Sequence, residues 1–411
     1  MEKTKHKIET AFPNIEVELL PRESRGDQLQ NIPLQTVEGS DFFTQDIFDA
    51  LQNGEADIAV HSLKDMSGSH FFGENKFAIV ERDDVRDVAI FNSNVEEKLL
   101  RTYLKNKAGY SDALIDRAVF KFKRTAGDQS RNLYDVNKDV YSLLRYGVNV
   151  EQGAGEKNMY VHLINWEKPL ENDFSIAEEV TIKGARTKRP DIVLYVNGIA
   201  IGVLELKKAS VSVEEGIRQS IGNQQQYFIK QFFTTMQLVM AGNESEGLRY
   251  GVTGSDAQFF IKWKEETHSE ETNMLHRHLM QLCNKERIIE VIHDFILFDG
   301  GRKKICRPHQ YFGVKAAQQF IARKEGGFIW HTQGSGKSLT MVLLAKWIRQ
   351  FNSKSRILII TDRTELDEQI KNVFIDTDQK IERADSGADL LEKLNQFTPQ
   401  NICSLIHKFR N

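Results

Sequence analysis

The segment RPDIVLYVNGIAIGVLELKKA, residues 189–209, constrains the fold of this 411-residue chain more than any other. Two runs of branched and apolar residues flank Asn197-Gly198, and Asn-Gly between such runs is the strongest short-range hairpin signal because both turn positions need positive φ. The second run is nearly all apolar, with Ile199, Ile201, Val203, Leu204 and Leu206, so it belongs inside a sheet. Glu205 and Lys207 interrupt it two residues apart and therefore share one face. Asp191 opens the partner strand. A strict two-residue turn pairs Asp191 with Leu204 and sends the two acids to opposite faces, whereas a three-residue turn or one bulge pairs Asp191 with Glu205.

Two acids and a lysine in a buried sheet are expensive without a task. On one face, Asp191 and Glu205 can hold Mg²⁺ while Lys207 orients or activates water for attack on a phosphodiester. That chemistry requires the bulged register. The pattern Pro190, Asp191, then Glu205, Leu206 and Lys207 after thirteen intervening residues resembles the PD-(D/E)xK nucleases. A helix expected over Val213 to Phe233 brings Gln219 close to the hairpin, and a resemblance to type I restriction R subunits implies that a glutamine there supports the metal site. The pattern of that family continues with a tyrosine where this chain has Asn223, and Tyr227 lies one turn beyond. Glu178 or Glu179 is a candidate further acid, although a solvated strand edge explains both equally well.

A second chemical signature stands near the end. Phe328 to Trp330 reads as a short apolar strand, HTQGSGKS from His331 to Ser338 as a glycine-rich turn, and Leu339 to Phe351 as an amphipathic helix. Backbone N–H groups around Gly334, Ser335 and Gly336 can surround a phosphate at a helix N-terminus, with Lys337 on the β/γ oxygens and Ser338 on Mg²⁺. Thr332 followed two residues later by the glycine-lysine-serine run resembles the superfamily 2 helicase form of this loop. RPHQYFGVKAAQQF, residues 307–320, resembles the adenine-reading segment of restriction motors and implies Gln310 as the base contact, a surface helix being the plainer alternative. ILIITDRTELDEQI, residues 357–370, reads as a buried strand, a polar loop and a helix; it resembles motif Ia, which implies that Arg363 and Thr364 touch a DNA backbone.

With LIHKF at 405–409, these features make residues 93–411 resemble the N-terminal part of a type I restriction enzyme R subunit. The resemblance implies double-stranded DNA as substrate, Mg²⁺ and ATP as cofactors, and methylation (M) and specificity (S) subunits as partners. The chain stops at Asn411 before any DEAD or DEAH box, second helicase lobe or arginine finger, so weak ATP binding and no translocation are expected.

The first ninety residues read differently. Ile15 to Leu20 alternates as a strand, Asp41 to Asn53 has helical spacing, and Ala56 to His61 is a second strand, giving an α/β unit. ADIAVHSLKDM then places Ser62, Lys64 and Asp65 in the loop after a strand, where open α/β sheets bind ligands. With ESRGDQLQNIPL at 23–34 and ERDDVRDVAIFN at 81–92, this segment resembles hydroxymethylbilane synthase (porphobilinogen deaminase). The resemblance implies Asp65 as the acid facing pyrrole nitrogens and Lys64 as a contact to cofactor carboxylates. No dipyrromethane is expected, because none of Cys283, Cys306 and Cys403 lies in that family's attachment motif.

The expected fold class is multidomain α/β. Residues 1–92 form a truncated periplasmic-binding-protein-like fragment, 93–265 a helical lead-in and nuclease domain, 266–300 a helical linker, and 301–411 an incomplete RecA-like lobe. Besides the restriction nuclease, two alternatives follow: an inactive tetrapyrrole-forming deaminase, or a chimera without function. Hydrophobic residues at 40% and charged residues at 27% fit globular protein. No apolar run approaches the roughly 18 residues that span a bilayer, and the N-terminus lacks a signal-peptide apolar core, so a cytoplasmic, membrane-free location is expected. Three widely spaced cysteines argue against disulfides and zinc. The net charge of −3 gives no global nucleic-acid signature, so DNA contact must come from local basic runs or a partner subunit.

Overall fold

The computed structural model describes residues 93–411 apart from 153–156, 266–271, 377–379, 399, 410 and 411, together with isolated positions 9, 16–18, 53 and 55 nearer the N-terminus. The chain divides into two compact units, Met1–Ala89 and Ile90–Asn411. Ser62, Lys64 and Asp65, with the deaminase-like motifs, lie outside the described residues.

The second unit opens with three helices, α1 (Glu97–Asn106), α2 (Asp112–Ala126) and α3 (Leu133–Tyr146). Their apolar residues recur at helical spacing, so Leu100 and Leu104, then Ile115, Val119 and Phe122, then Val136, Val140 and Leu144 are fully or almost fully buried. The Asn132 side chain caps α3 by accepting the N–H of Asp135. A two-stranded ribbon, β1 (Val148–Glu151) and β2 (Asn158–Val161), follows.

The centre is a six-stranded sheet in simple sequence order: β3 (Phe174–Glu178), β4 (Ile192–Val196), β5 (Ile199–Leu206), β6 (Leu238–Asn243), β7 (Gly247–Gly251) and β8 (Ile261–Lys262). All pairs are antiparallel except β5 with β6. That parallel step needs a crossover, and helix α4 (Val213–Asn223) lies within it. Asn197 and Gly198 take φ of +52° and +78°, the primed turn that their identities select. A Cβ on Gly198 would come within 2.7 Å of the Glu96 carbonyl, so the turn also needs glycine for the close approach of α1.

The register shifts once along this hairpin: Val196 pairs Ile199 and Tyr195 pairs Ala200, but Leu194 pairs Gly202, leaving Ile201 without a partner. Burial records the bulge independently. Ile199 and Ile201 face the core shared with α1–α3, and beyond the bulge Leu204 does. Ala200, then Val203, face the opposite core with Ile217 and Phe233. The odd positions therefore change faces within one strand, and Glu205 follows Val203 toward α4.

The remainder contains α5 (Met274–Leu282), α6 (Lys285–Asp294), a hairpin of β9 (Ile296–Asp299) and β10 (Arg302–Ile305), α7 (Pro308–Ala322) and α8 (Lys337–Phe351). A parallel three-stranded sheet, ordered β11-β13-β12, is built from β11 (Ile357–Thr361), β12 (Glu382–Arg383) and β13 (Asn401–Leu405), with α9 (Thr364–Asp376) and α10 (Gly387–Asn395) between them. The three cysteines are free, and no helix of the described residues is long and apolar enough to cross a membrane.

Three expectations need correction. Phe328 to Trp330 is not a strand: among the described residues no strand pairs with it, and Phe328 and Trp330 are almost fully exposed. An apolar triplet has strand composition, but without a ladder its backbone gains nothing from extension. The helix expected to reach Phe233 ends at Asn223, beside Gly222, and the chain turns before a 3₁₀ segment at Lys230–Thr234. The stretch expected as a helical linker to residue 300 ends in strand β9, whose turn at Gly300-Gly301 has positive φ at both glycines.

Candidate active site

With the bulge in place, Asp191 at the mouth of β4 meets the end of β5. Its Oδ2 accepts the backbone N–H of Leu206 at 2.6 Å, which fixes the carboxylate against the strand edge. Glu205 is 1% exposed and points toward α4. Burial, and then the neighbouring Asp191, push its carboxyl from 4.5 up to about 7, while Lys207 acts in the opposite direction.

Helix α4 completes the constellation. It can lie this close because Gly216 faces the sheet; a Cβ there would stand 3.1 Å from the Ala241 Cβ and 3.6 Å from that of Glu205. One turn further, the Gln219 amide joins the acid to the lysine. Its Nε2 donates to Glu205 Oε2 at 2.7 Å, and its Oε1 accepts from Lys207 Nζ at 2.8 Å. Lys207 Nζ also donates to the Leu206 carbonyl at 3.2 Å. Asn223, four residues after Gln219 and hence on the same helix face, donates to Glu205 Oε1 at 3.3 Å. Asn223 stands where the family pattern has tyrosine, and its i, i+4 spacing from Gln219 is the sequence signal that it faces the same acid.

The hairpin thus brings together Asp191, Glu205, Lys207 and Gln219. Glu178 and Glu179 do not join them: both are exposed, and Glu179, at φ +50°, is paired with Arg189 at 2.7 Å. Among the described residues no three His, Cys, Asp or Glu side chains gather as a metal cluster. Two carboxylates suffice for Mg²⁺, which keeps several waters and takes further oxygens from a phosphate. The raised Glu205 fits such an ion, because a divalent cation stabilises the ionised carboxylate that burial and the neighbouring Asp191 disfavour.

The glycine-rich loop at His331–Ser338 leads straight into α8. Gly334 and Gly336 have φ of +74° and +83°, and a Cβ on Gly336 would meet Gln310 Nε2 at 2.6 Å, so both positions suit glycine. Lys337 Nζ reaches back over the loop to the carbonyls of Thr332 at 2.9 Å and His331 at 3.2 Å. Gln310 is buried at the start of α7; its Oε1 accepts the Arg307 N–H at 2.8 Å and its Nε2 donates to the Gly336 carbonyl at 3.0 Å. In this conformation its amide braces the loop. His309 Nε2 lies 3.0 Å from the Ser335 carbonyl, and its ring stands edge-on to His331. Burial lowers the His331 pKa, with His309 adding to the effect. Among the described residues the buried Ser335 hydroxyl has no hydrogen-bond partner, consistent with a loop that receives acceptor oxygens. Arg363 is exposed, and Thr364 is the first residue of α9.

Residues 55–258 match the family described as type I restriction enzyme R protein N terminus, and residues 309–411 match the SWI2/SNF2 ATPases. Neither matching family is hydroxymethylbilane synthase, and the first match begins inside the segment that carries that resemblance. The chain is 27% identical to a Methanocaldococcus jannaschii protein named as the type I restriction enzyme MjaIXP endonuclease subunit, over 85% of this chain and 36% of that one. It is 28% identical to the type I restriction enzyme HindI endonuclease subunit of Haemophilus influenzae, over 85% of this chain and 35% of the relative. A Staphylococcus saprophyticus type I restriction enzyme endonuclease subunit is 21% identical over 62% of this chain and 28% of its own. The chain spans about a third of the length of these curated relatives. The homologues are thus endonuclease subunits of type I restriction enzymes.

Proposed function

We propose that this chain supplies the nuclease site and the nucleotide-binding loop of a type I restriction endonuclease subunit, cutting double-stranded DNA with Asp191, Glu205 and Lys207. The observation that carries this reading is the bulged hairpin: it sets the two carboxylates side by side while Gln219 ties Glu205 to Lys207. In the reaction a water oxygen bonds to phosphorus, one P–O ester bond breaks, and the departing oxygen takes up a proton. Asp191 and Glu205 would hold Mg²⁺, which supplies charge neutralisation at the phosphate and a more acidic bound water. Lys207, fixed by the Gln219 carbonyl, presents its ammonium on the same face and orients the attacking water. Asn223 and Gln219 favour the ionised form of Glu205 by donating to it.

At the other site, Lys337 and the N–H groups of Gly334, Ser335 and Gly336 would receive the phosphates of ATP, with Ser338 beside Mg²⁺. Gln310 would have to release the Gly336 carbonyl before contacting a base. DNA delivery by methylation and specificity subunits belongs to the same reading.

The test is incubation of the purified chain with plasmid DNA and Mg²⁺ or Mn²⁺, beside Asp191→Ala and Lys207→Ala, with and without the partner subunits. Metal-dependent nicking lost in both variants is the expected result. Equal nicking by wild type and variants, or none with all partners present, refutes the assignment.

A further inference from the structure

Residues 180–190, immediately before Asp191, contain Lys183, Arg186, Lys188 and Arg189 and no acid. Such a run is usually a solvated, mobile face, but this one is built. Ile182 and Lys188 exchange both backbone hydrogen bonds, at 2.9 and 3.0 Å, closing a small hairpin. Its tip is fastened to the segment after α4 by the Ala185 N–H on the Phe228 carbonyl at 2.9 Å. Gly184 makes the seating possible, since a Cβ there would stand 2.3 Å from that carbonyl.

The cations are ordered as well. Lys188 Nζ lies 4.3 Å and the Arg186 guanidinium 5.8 Å from the centroid of the same Phe228 ring. Arg189 is engaged by Glu179, whereas Lys183, Arg186 and Lys188 have no ion-pair partner among the described residues. The base of the hairpin leads directly into the acid: only Arg189 and Pro190 stand between Lys188 and Asp191, and the Asp191 carbonyl accepts the Glu179 N–H at 2.8 Å, just before the hairpin begins. Lys188 and Asp191 are three positions apart, a reach of at most about 10 Å at roughly 3.3 Å per residue. Phosphates of one DNA strand rise about 3.4 Å per nucleotide, so these cations fall within range of phosphates flanking one held at the carboxylates.

We infer that the 182–188 hairpin is a backbone clamp in which Lys183, Arg186 and Lys188 grip phosphates of the DNA next to the one being cut. These are positioning residues: they carry no sequence information and do not touch the reacting atoms. The inference rests on the nuclease reading of Asp191 and Glu205 for what the clamp serves.

The test measures binding of the full chain to a labelled duplex by fluorescence anisotropy, with Ca²⁺ in place of Mg²⁺, across about 50 to 200 mM salt. Lys183→Ala/Arg186→Ala should reduce the slope of log K against log salt by about 2, at roughly 0.9 per phosphate contact. Arg186→Lys should restore most of Arg186's share, and Lys98→Ala/Arg124→Ala, which removes two exposed charges elsewhere, should leave the slope unchanged. In cleavage assays the clamp variant should raise KM with kcat little altered. An unchanged slope, an equal fall in the Lys98/Arg124 control, or no measurable binding by wild type overturns the clamp. Binding measured in an Asp191→Ala background separates the two proposals: the slope difference persists there if the clamp is real, whereas the nuclease reading stands or falls on the plasmid-nicking comparison alone.

Discussion

Replacing Glu205 with Gln keeps the side-chain volume and removes one titration, which makes it a direct probe of the buried acid. The displacement from 4.5 to about 7, at about 1.4 kcal/mol per pH unit, makes the ionised carboxylate about 3 kcal/mol less favourable in the fold than in the unfolded chain. The sign follows from proton counting. Between those two values the folded state retains a proton that the unfolded chain has lost, so stability falls as pH rises through the window and is level above it. Urea unfolding in EDTA at about pH 5 and about pH 8 should show wild type losing about 2.5 kcal/mol relative to Glu205→Gln, since part of the full effect is already lost at about pH 5. The comparison cancels every other titrating group. Saturating Mg²⁺ should flatten the wild-type loss, since the ion stabilises the charged form. Parallel wild-type and variant stabilities across the pH range would refute the description of Glu205 as a burial-strained acid.

Asn223→Ala leaves Glu205 Oε1 without that donor in a buried site; it should cost about 1–3 kcal/mol and weaken Mn²⁺ binding at neutral pH, read by calorimetry. Gly216→Val forces methyl groups into the 3.1 Å approach to Ala241 and should destabilise by about 1–3 kcal/mol, lowering the melting temperature and cleavage together as α4 lifts Gln219 away. Lys337→Ala should reduce ATP affinity at least about tenfold, near 1.4 kcal/mol, in equilibrium dialysis, while Mn²⁺ binding at Glu205 stays unchanged.

The hairpin was legible because Asn197-Gly198 fixes a turn and apolar residues on both sides fix strands. Its bulge was legible only through chemistry: hydrophobicity cannot phase a strand buried on both faces, and the need for Asp191 beside Glu205 decided the register. Gln219 could be placed by helical spacing from the hairpin, but Asn223 was obscured by comparison with a motif that has tyrosine there. The β9–β10 hairpin was missed although Gly300-Gly301 between Ile296–Phe298 and Lys303–Ile305 is a turn signal; the preceding helical periodicity masked it. Phe328–Trp330 failed for a non-local reason, since strand formation needs a neighbouring edge that three apolar residues cannot supply.

The single unpaired residue at Ile201 has an arithmetic consequence. Thirteen residues separate Asp191 from Glu205: two form the turn, one is the bulge, and ten are five cross-strand couples. Lengthening or shortening the hairpin by whole couples preserves an odd interval and keeps both acids on one side. Any single insertion or deletion makes the interval even and separates them, unless a second irregularity restores the count. Relatives of this sheet can therefore vary the height of the hairpin freely in steps of two, and the parity of that interval is a stricter signature of the site than its length.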